Sequence, residues 1–182
     1  MSNLRLINET TASSVASLSI TDIFSSDFDI YKMTLSNFSA DSGNPFLQFK
    51  FINSSGSIIT SSEYDSASLY MRSWNSFVEY NDTNQTTMKN LALTDSTSAA
   101  HTGGAVFYIF NPFSSSSYTF VIGQNQANTT AGTYSFKAIG VLTELSSCTG
   151  LNINFSKPIF KYIIEFIWML HHWRMPTFIN PI

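Results

Sequence analysis

Charge is what this chain has least of. Asp, Glu, Lys and Arg together make up 12% of its 182 residues, about half the ~25% of an ordinary domain. The net charge is −3 and the few Lys and Arg residues are scattered. A nucleic-acid footprint needs those residues gathered on one face, and docking on an anionic membrane needs the same, so neither partner is expected. Cys148 is the single cysteine, which excludes an internal disulfide and leaves packing or oligomerisation to supply stability. No apolar run reaches the ~20 residues of a membrane-spanning helix. The opening MSNLRLINETTASS has no apolar core segment, so no secretory signal is expected, and the N-x-[ST] matches at Asn8, Asn53 and Asn128 read as composition.

Catalytic signatures are missing as well. No G-x-S-x-G elbow, phosphate-cradling G-x-x-x-x-G-K-[ST] loop or H-E-x-x-H pair occurs. His101, His171 and His172 are the only histidines. An adjacent His pair on a strand points to opposite faces and does not chelate one metal. Asp27 with Asp29, and Glu63 with Asp65, stand two apart and share a strand face. Such pairs usually mark wet faces or strand ends, and neither is followed by a calcium-type loop. Cys148 has no basic neighbour in the chain to lower its pKa, so an inert thiol is expected. These readings point to a non-enzyme that carries no metal and no cofactor.

What fills the gap is Ser, Thr and Asn, with 16 Phe and 8 Tyr as large core residues; the mean hydropathy stays at +0.04. The stretch from Phe28 to Tyr64 is the clearest. Tyr31, Met33 and Leu35 alternate with Lys32, Thr34 and Ser36, and Leu47, Phe49 and Phe51 alternate with Gln48 and Lys50. Period-two alternation buries one face of a strand and wets the other. Asn53-Ser54-Ser55-Gly56-Ser57 predicts a tight turn, because Gly and Asn tolerate positive φ and serine hydroxyls bond nearby backbone.

Further strands are predicted at residues 4–8, 15–20, 68–73, 88–93, 105–111, 117–123, 133–143 and 151–155. Segments 39–44, 81–85, 95–104 and 124–132, rich in Ser, Thr, Asn, Asp and Gly, are read as connections. Up to Gly150 no window carries a helical apolar stripe. The expected fold is therefore all-β, an antiparallel β-sandwich of jelly-roll or concanavalin-like type with few or no helices. Residues 1–160 form one sandwich domain in this reading. Residues 161–182 add a final strand, taken from the apolar run Ile159–Leu170, and an atypical apolar tail. Such an ending needs a partner to cover it, or it is an aggregation liability.

The segment YMRSWNSFVEY gathers Tyr70, Arg72, Trp74 and Tyr80. Aromatics beside an Arg are what a sugar-stacking or protein-binding surface uses. The competing reading is that alternate members pack in the sandwich core. Trp74 is the residue of first interest for a ligand.

The run Ser25-Ser26-Asp27-Phe28-Asp29-Ile30-Tyr31, then Leu35-Ser36-Asn37, resembles the opening of small structural proteins of marine bacteriophages that infect cyanobacteria and pelagic bacteria. The likeness continues through Phe49 to Ser57, Glu63-Tyr64-Asp65, Phe110-Asn111-Pro112 and Ser156-Lys157-Pro158-Ile159. It implies a lectin-like β-sandwich in a virion, as tail fibre, appendage or capsid decoration. It implies assembly as a homo-oligomer, a trimer being one form, with other virion proteins as neighbours and a host surface glycan as a possible ligand of a lectin-like module. It offers no catalytic residues. Such proteins end soon after the S-[KR]-P-I stretch in a Y-G-[LI]-like motif. Here Phe166-Ile167-Trp168-Met169-Leu170 and then HHWRMPTFINPI follow, a change in composition that a shifted reading frame from Lys161 onward would produce.

Overall fold

The computed structural model describes residues 4–13, 15–40, 45–94, 103–156 and 159–169. Among these residues the chain forms strands and no helix: β1 (Leu4–Ser13), β2 (Ser17–Ile20), β3 (Ile30–Ala40), β4 (Phe46–Asn53), β5 (Tyr64–Arg72), β6 (Val78–Gln85), β7 (Met88–Leu93), β8 (Gly103–Phe110), β9 (Thr119–Thr129), β10 (Gly132–Leu142), β11 (Cys148–Phe155) and β12 (Ile159–Met169). They build two antiparallel sheets. The larger has the order β1-β12-β3-β8-β9-β10-β5-β6 and the smaller β2-β11-β4-β7.

The connectivity is that of a jelly roll. Set aside the hairpins β5–β6 and β9–β10, and the remaining eight strands pair as one long hairpin rolled onto itself. First pairs with last (β1 with β12), second with next-to-last (β2 with β11), third with third-from-last (β3 with β8), and the innermost two with each other (β4 with β7). The two hairpins join edge to edge, β10 with β5 over Tyr134↔Arg72 to Leu142↔Tyr64, and widen the larger sheet beyond β8. The all-β sandwich read from the sequence is the observed fold.

Local sequence explains most of these elements. In β3, Tyr31, Met33 and Leu35 are buried while Lys32, Thr34 and Ser36 are not, and β4 buries Leu47, Phe49 and Phe51 in the same way. The Asn53 turn forms: its Oδ1 accepts from the Ser55 and Ser57 amides at 3.1 and 3.0 Å, and Gly56 takes φ +78°. Two expected connections are strand instead. β6 covers 81–85, and β9 runs through 124–129 before a turn of only two residues. Both misled because they are polar. β6 is a sheet edge with little to bury. In β9, Asn125 does face the core, and its amide is satisfied there: Oδ1 accepts from the Leu93 amide at 3.1 Å and Nδ2 donates to the Gly104 carbonyl at 3.1 Å. A buried amide so paired costs little, and the strand continues past it. β3 likewise runs on to Ala40. The final strand takes the expected place, and its backbone lies between β1 and β3, so the boundary drawn at residue 160 falls inside β12. His101, His171, His172 and the ending from Leu170 lie outside the described residues.

The core sits between the sheets. Phe49 of β4 meets Phe107 of β8 edge-on at 4.9 Å, one of several aromatic contacts across the interface. Buried tyrosines tie the sheets by their hydroxyls. Tyr64 on β5 accepts from the Phe51 amide at 2.9 Å and donates to the Ile59 carbonyl at 3.1 Å, and Tyr134 on β10 donates to the Leu93 carbonyl at 3.0 Å. Each fully buried aromatic contributes on the order of 1.5–3 kcal/mol, and bonding its hydroxyl avoids the cost of an orphaned polar group.

Phe107 also needs room on its own sheet. A Cβ on Gly123, its cross-strand partner, would stand 2.1 Å from Phe107 Cδ1, so the ring lies flat over the glycine. Gly104, on the same strand as Phe107, has ordinary space, with Leu35 O at 3.8 Å. Gly123→Ala is therefore expected to destabilise the protein by about 1–3 kcal/mol in urea unfolding, while Gly104→Ala changes it by less than ~0.5 kcal/mol. Equal effects at the two positions would show that the Phe107 ring does not require Gly123.

Candidate functional site

Two regions merit examination: the Tyr70–Tyr80 segment and the outer face of the larger sheet. In the first, β5 and β6 place the four predicted residues apart from one another. Tyr70 is buried, stacked on Phe136 at 4.6 Å, and Tyr80 is half-buried against Phe46 and Phe136. Arg72 holds the hairpin connection: Nε and Nη2 donate to the Ser76 carbonyl at 3.1 and 3.0 Å, with the guanidinium 5.2 Å from the Tyr70 ring centre. Trp74 is 37% exposed at the tip and lies over Gly132 of the β9–β10 turn, and Phe77 beside it is 64% exposed. Tyr70 and Tyr80 thus serve the core, Arg72 shapes the turn, and Trp74 and Phe77 remain to face solvent.

The outer sheet face was not anticipated. Strand registers align two apolar rows across it. One runs Tyr108–Ile122–Ile139–Ala67 and the other Phe110–Phe120–Val141, from β8 through β9 and β10 to β5. Ile139 is 56% exposed, Ile122 45% and Phe120 44%. Ile122 and Ile139 wall a groove of about 500 Å³ toward β5 and β6, and another of about 380 Å³ toward β8. On this face β8 and β9 offer no charged side chain, while Lys32 lies on β3, Lys137 on β10 beside Ile139, and Asp65 and Glu79 on β5 and β6. A signal was present in the sequence. The runs Ala105–Phe110 and Phe120–Ile122 are continuously apolar, the pattern of strands covered on both faces.

The remaining chemical groups are occupied structurally. Asp65 Oδ1 accepts from the Asn84 amide at 2.8 Å, Glu63 accepts from the Thr143 hydroxyl, and Asp27 accepts from Ser25 Oγ at 3.2 Å. Among the described residues, no three His, Cys, Asp or Glu side chains come together as a metal site. Cys148 is fully buried at the start of β11, its Sγ 3.6 Å from the Ser146 carbonyl. Burial pushes its pKa up to about 12, partly offset by a hydrogen bond with Thr119. Burial also raises the Tyr64 hydroxyl. Both groups are acids that the folded state holds neutral.

Comparison with known proteins finds no matching family model and no matching curated protein. Among solved structures, one match is the E230A fructofuranosidase from Schwanniomyces occidentalis complexed with fructosylnystose, at 7% identity and TM-score 0.19 over 91% of this chain. The chain spans 34% of that enzyme's length. Another is the CBM2 module of the evolved Dit of Lactobacillus casei BL23 phage J-1, at 10% identity and TM-score 0.17, covering 86% of this chain and 70% of that one. Likeness at this level carries no functional argument.

A measurable consequence follows from the buried thiol. The unfolded chain ionises its thiol near the ordinary value of 9.0 and the folded chain near 12. Between these values the folded state binds more protons, so stability is fully present below pH 9.0 and falls as pH rises toward 12. The thiol contributes a slope of at most about 1.4 kcal/mol per pH unit. Urea titrations across that window should show the decline, with a smaller slope in Cys148→Ala. Thiol reagents should modify Cys148 only on unfolding; rapid labelling of the native protein would contradict its burial.

Proposed function

We propose that the chain is a non-enzymatic structural module of a bacteriophage particle, a tail-fibre, appendage or decoration component that presents a jelly-roll sandwich. The observation that carries this reading is the wide outer face of the larger sheet, with its aligned apolar rows. Contiguous apolar surface rimmed by polar residues is what assembly interfaces use. A jelly roll without disulfides, with low charge and bonded tyrosines in its core, suits a packed, repeated building unit, and the resemblance of the Ser25–Ser57 region to phage structural proteins points the same way. Mass spectrometry of purified particles from a phage carrying this gene should find the chain at many copies per particle. Its absence from particles in which the known structural proteins are detected would refute the reading.

A second reading, a lectin-like module for host adsorption, is favoured by one specific feature. Trp74 and Phe77 are both exposed in the β5–β6 connection, and exposed aromatic faces stack on sugar rings. Binding to a glycan array that drops at least ~10-fold in Trp74→Ala, with the urea midpoint unchanged, is the expected result. Equal binding by the two proteins, or none by either, excludes this site.

A further inference from the structure

We propose that the cleft between the β2–β3 and β8–β9 connections binds one uncharged sugar ring, the end residue of a neutral glycan. The proposal goes beyond both readings above, because it uses neither the outer sheet face nor Trp74. Asn111 of the cleft follows the Phe110–Phe120–Val141 row, whereas Trp74 follows the Arg72–Tyr134–Ala127 row at the other end of the same sheet.

The cleft sits on a braced platform. Residues 21–29, 54–63, 111–118 and 143–147 connect strands at this end of the sandwich, and backbone bonds tie these connections together. The Asn111 amide donates to the Asp29 carbonyl at 2.7 Å, the Thr143 amide to the Glu63 carbonyl at 2.9 Å, and the Cys148 amide to the Pro112 carbonyl at 2.8 Å. Ser25 is held by the Tyr31 hydroxyl, which accepts from its amide at 2.9 Å and donates to its carbonyl at 2.8 Å. Groups placed on loops by such a scaffold need little ordering when a ligand arrives.

Size and lining select the kind of ligand. The cleft holds about 180 Å³ and is lined by Phe28 and Phe113 together with Ser26, Asp29, Asn111 and Ser114. Pockets for drug-sized molecules begin near ~300 Å³, so a single ring fits and an extended peptide does not. Phe28 and Phe113 are half-buried and packed against the core, which fixes them while part of each stays accessible. A sugar ring offers an apolar C–H face to an aromatic ring and hydroxyl groups around its rim. Among the described residues nothing bonds the Asp29 carboxylate or the Asn111 Oδ1, and Asn111 Nδ2 is anchored to Ser117 Oγ at 3.3 Å. Both free oxygens are acceptors, so the matching ligand is one that brings hydroxyl donors, and the bond to the carboxylate is charge-assisted.

Charge narrows the choice further. The four connections carry Asp22, Asp27, Asp29, Glu63 and Glu144 and no Lys, Arg or His. A sialylated, sulfated or phosphorylated sugar would meet repulsion without compensation. A bare calcium ion would find oxygen atoms, but it has no use for the two phenylalanines.

Titration of the full chain with the methyl glycosides of glucose, galactose, mannose and N-acetylglucosamine, in EDTA and followed by NMR, tests the proposal. Saturable binding of at least one of them is expected, with none of sialyllactose. Asp29→Asn should weaken it by ~10-fold or more and leave the urea midpoint unchanged, since Asp29 is exposed. Asn111→Gly suits the φ of +55° at this position and should weaken binding in the same direction by removing Oδ1. Phe28→Leu keeps apolar volume, removes the ring and should do likewise. Trp74→Ala should leave binding as it is. Binding of none of the four glycosides, binding that requires calcium, a preference for sialyllactose, or binding indifferent to both Asp29→Asn and Asn111→Gly overturns the proposal. Loss of binding in Trp74→Ala with Asp29→Asn unaffected assigns the ligand to the β5–β6 connection and overturns it as well. A chain that binds sugar in this cleft yet is absent from phage particles refutes only the virion reading, and one found in particles that binds none of the glycosides refutes only this proposal.

Discussion

The structure depends on two sheets holding each other across a layer of aromatic rings. No disulfide links them, and the only ion pair between described side chains, Lys89 with Asp82 at 3.4 Å, sits at the margin. What remains is packing: Phe49 on Phe107, Phe24 on Tyr31 and Phe51, Tyr70 and Tyr80 on Phe136. Tyrosine is useful here because it brings a ring to the core and a hydroxyl to the opposite sheet. Tyr64 and Tyr134 each bond backbone that belongs to, or abuts, the smaller sheet, so the sheets are held in register as well as together. Tyr31 uses the same device on a loop, donating to the Ser25 carbonyl and accepting from its amide.

Adding two hairpins to a jelly roll changes what its surface can do. The rolled eight-strand core alone would present two sheets of similar width. With β9–β10 and β5–β6 joined to the β8 edge, one sheet becomes twice as wide as the other. Part of its inner face then lies over β7 and a second, smaller aromatic cluster around Phe136. Its outer face gains four strands, and the exposed apolar side chains of Phe120, Ile122 and Ile139 stand on two of them. The region where the fold departs from the plain jelly roll is thus also a region of exposed apolar surface.

Much of the scaffold was legible from residues alone. Alternation at Tyr31–Ser36 and Leu47–Phe51 marked strands and their buried faces, and the Asn53 turn followed from residue chemistry. The polar strands were hidden for a physical reason. Asn125 faces the core because Leu93 and Gly104 supply partners for its amide, and those partners lie 32 and 21 residues away. Of the predicted ligand residues, Tyr70 and Tyr80 turned inward because Phe136, far along the chain, offers them a ring to stack on. Arg72 turned to the Ser76 carbonyl because the β5–β6 connection brings it within reach.

By itself the sequence determined the class of the protein: a sparsely charged, disulfide-free, aromatic-rich β chain whose alternating runs can only bury one face each. Periodicity and turn chemistry are local properties, and local properties survive in a string of letters. Which strands become neighbours, and so which side chains form a surface, was decided only in three dimensions. Tyr108, Ile122, Ile139 and Ala67 are separated by tens of residues, and hydrogen-bond register alone sets them in one row. A continuous apolar run such as Ala105–Phe110 announces that both faces of a strand want cover. Only the sheet order shows that one of those faces is left exposed.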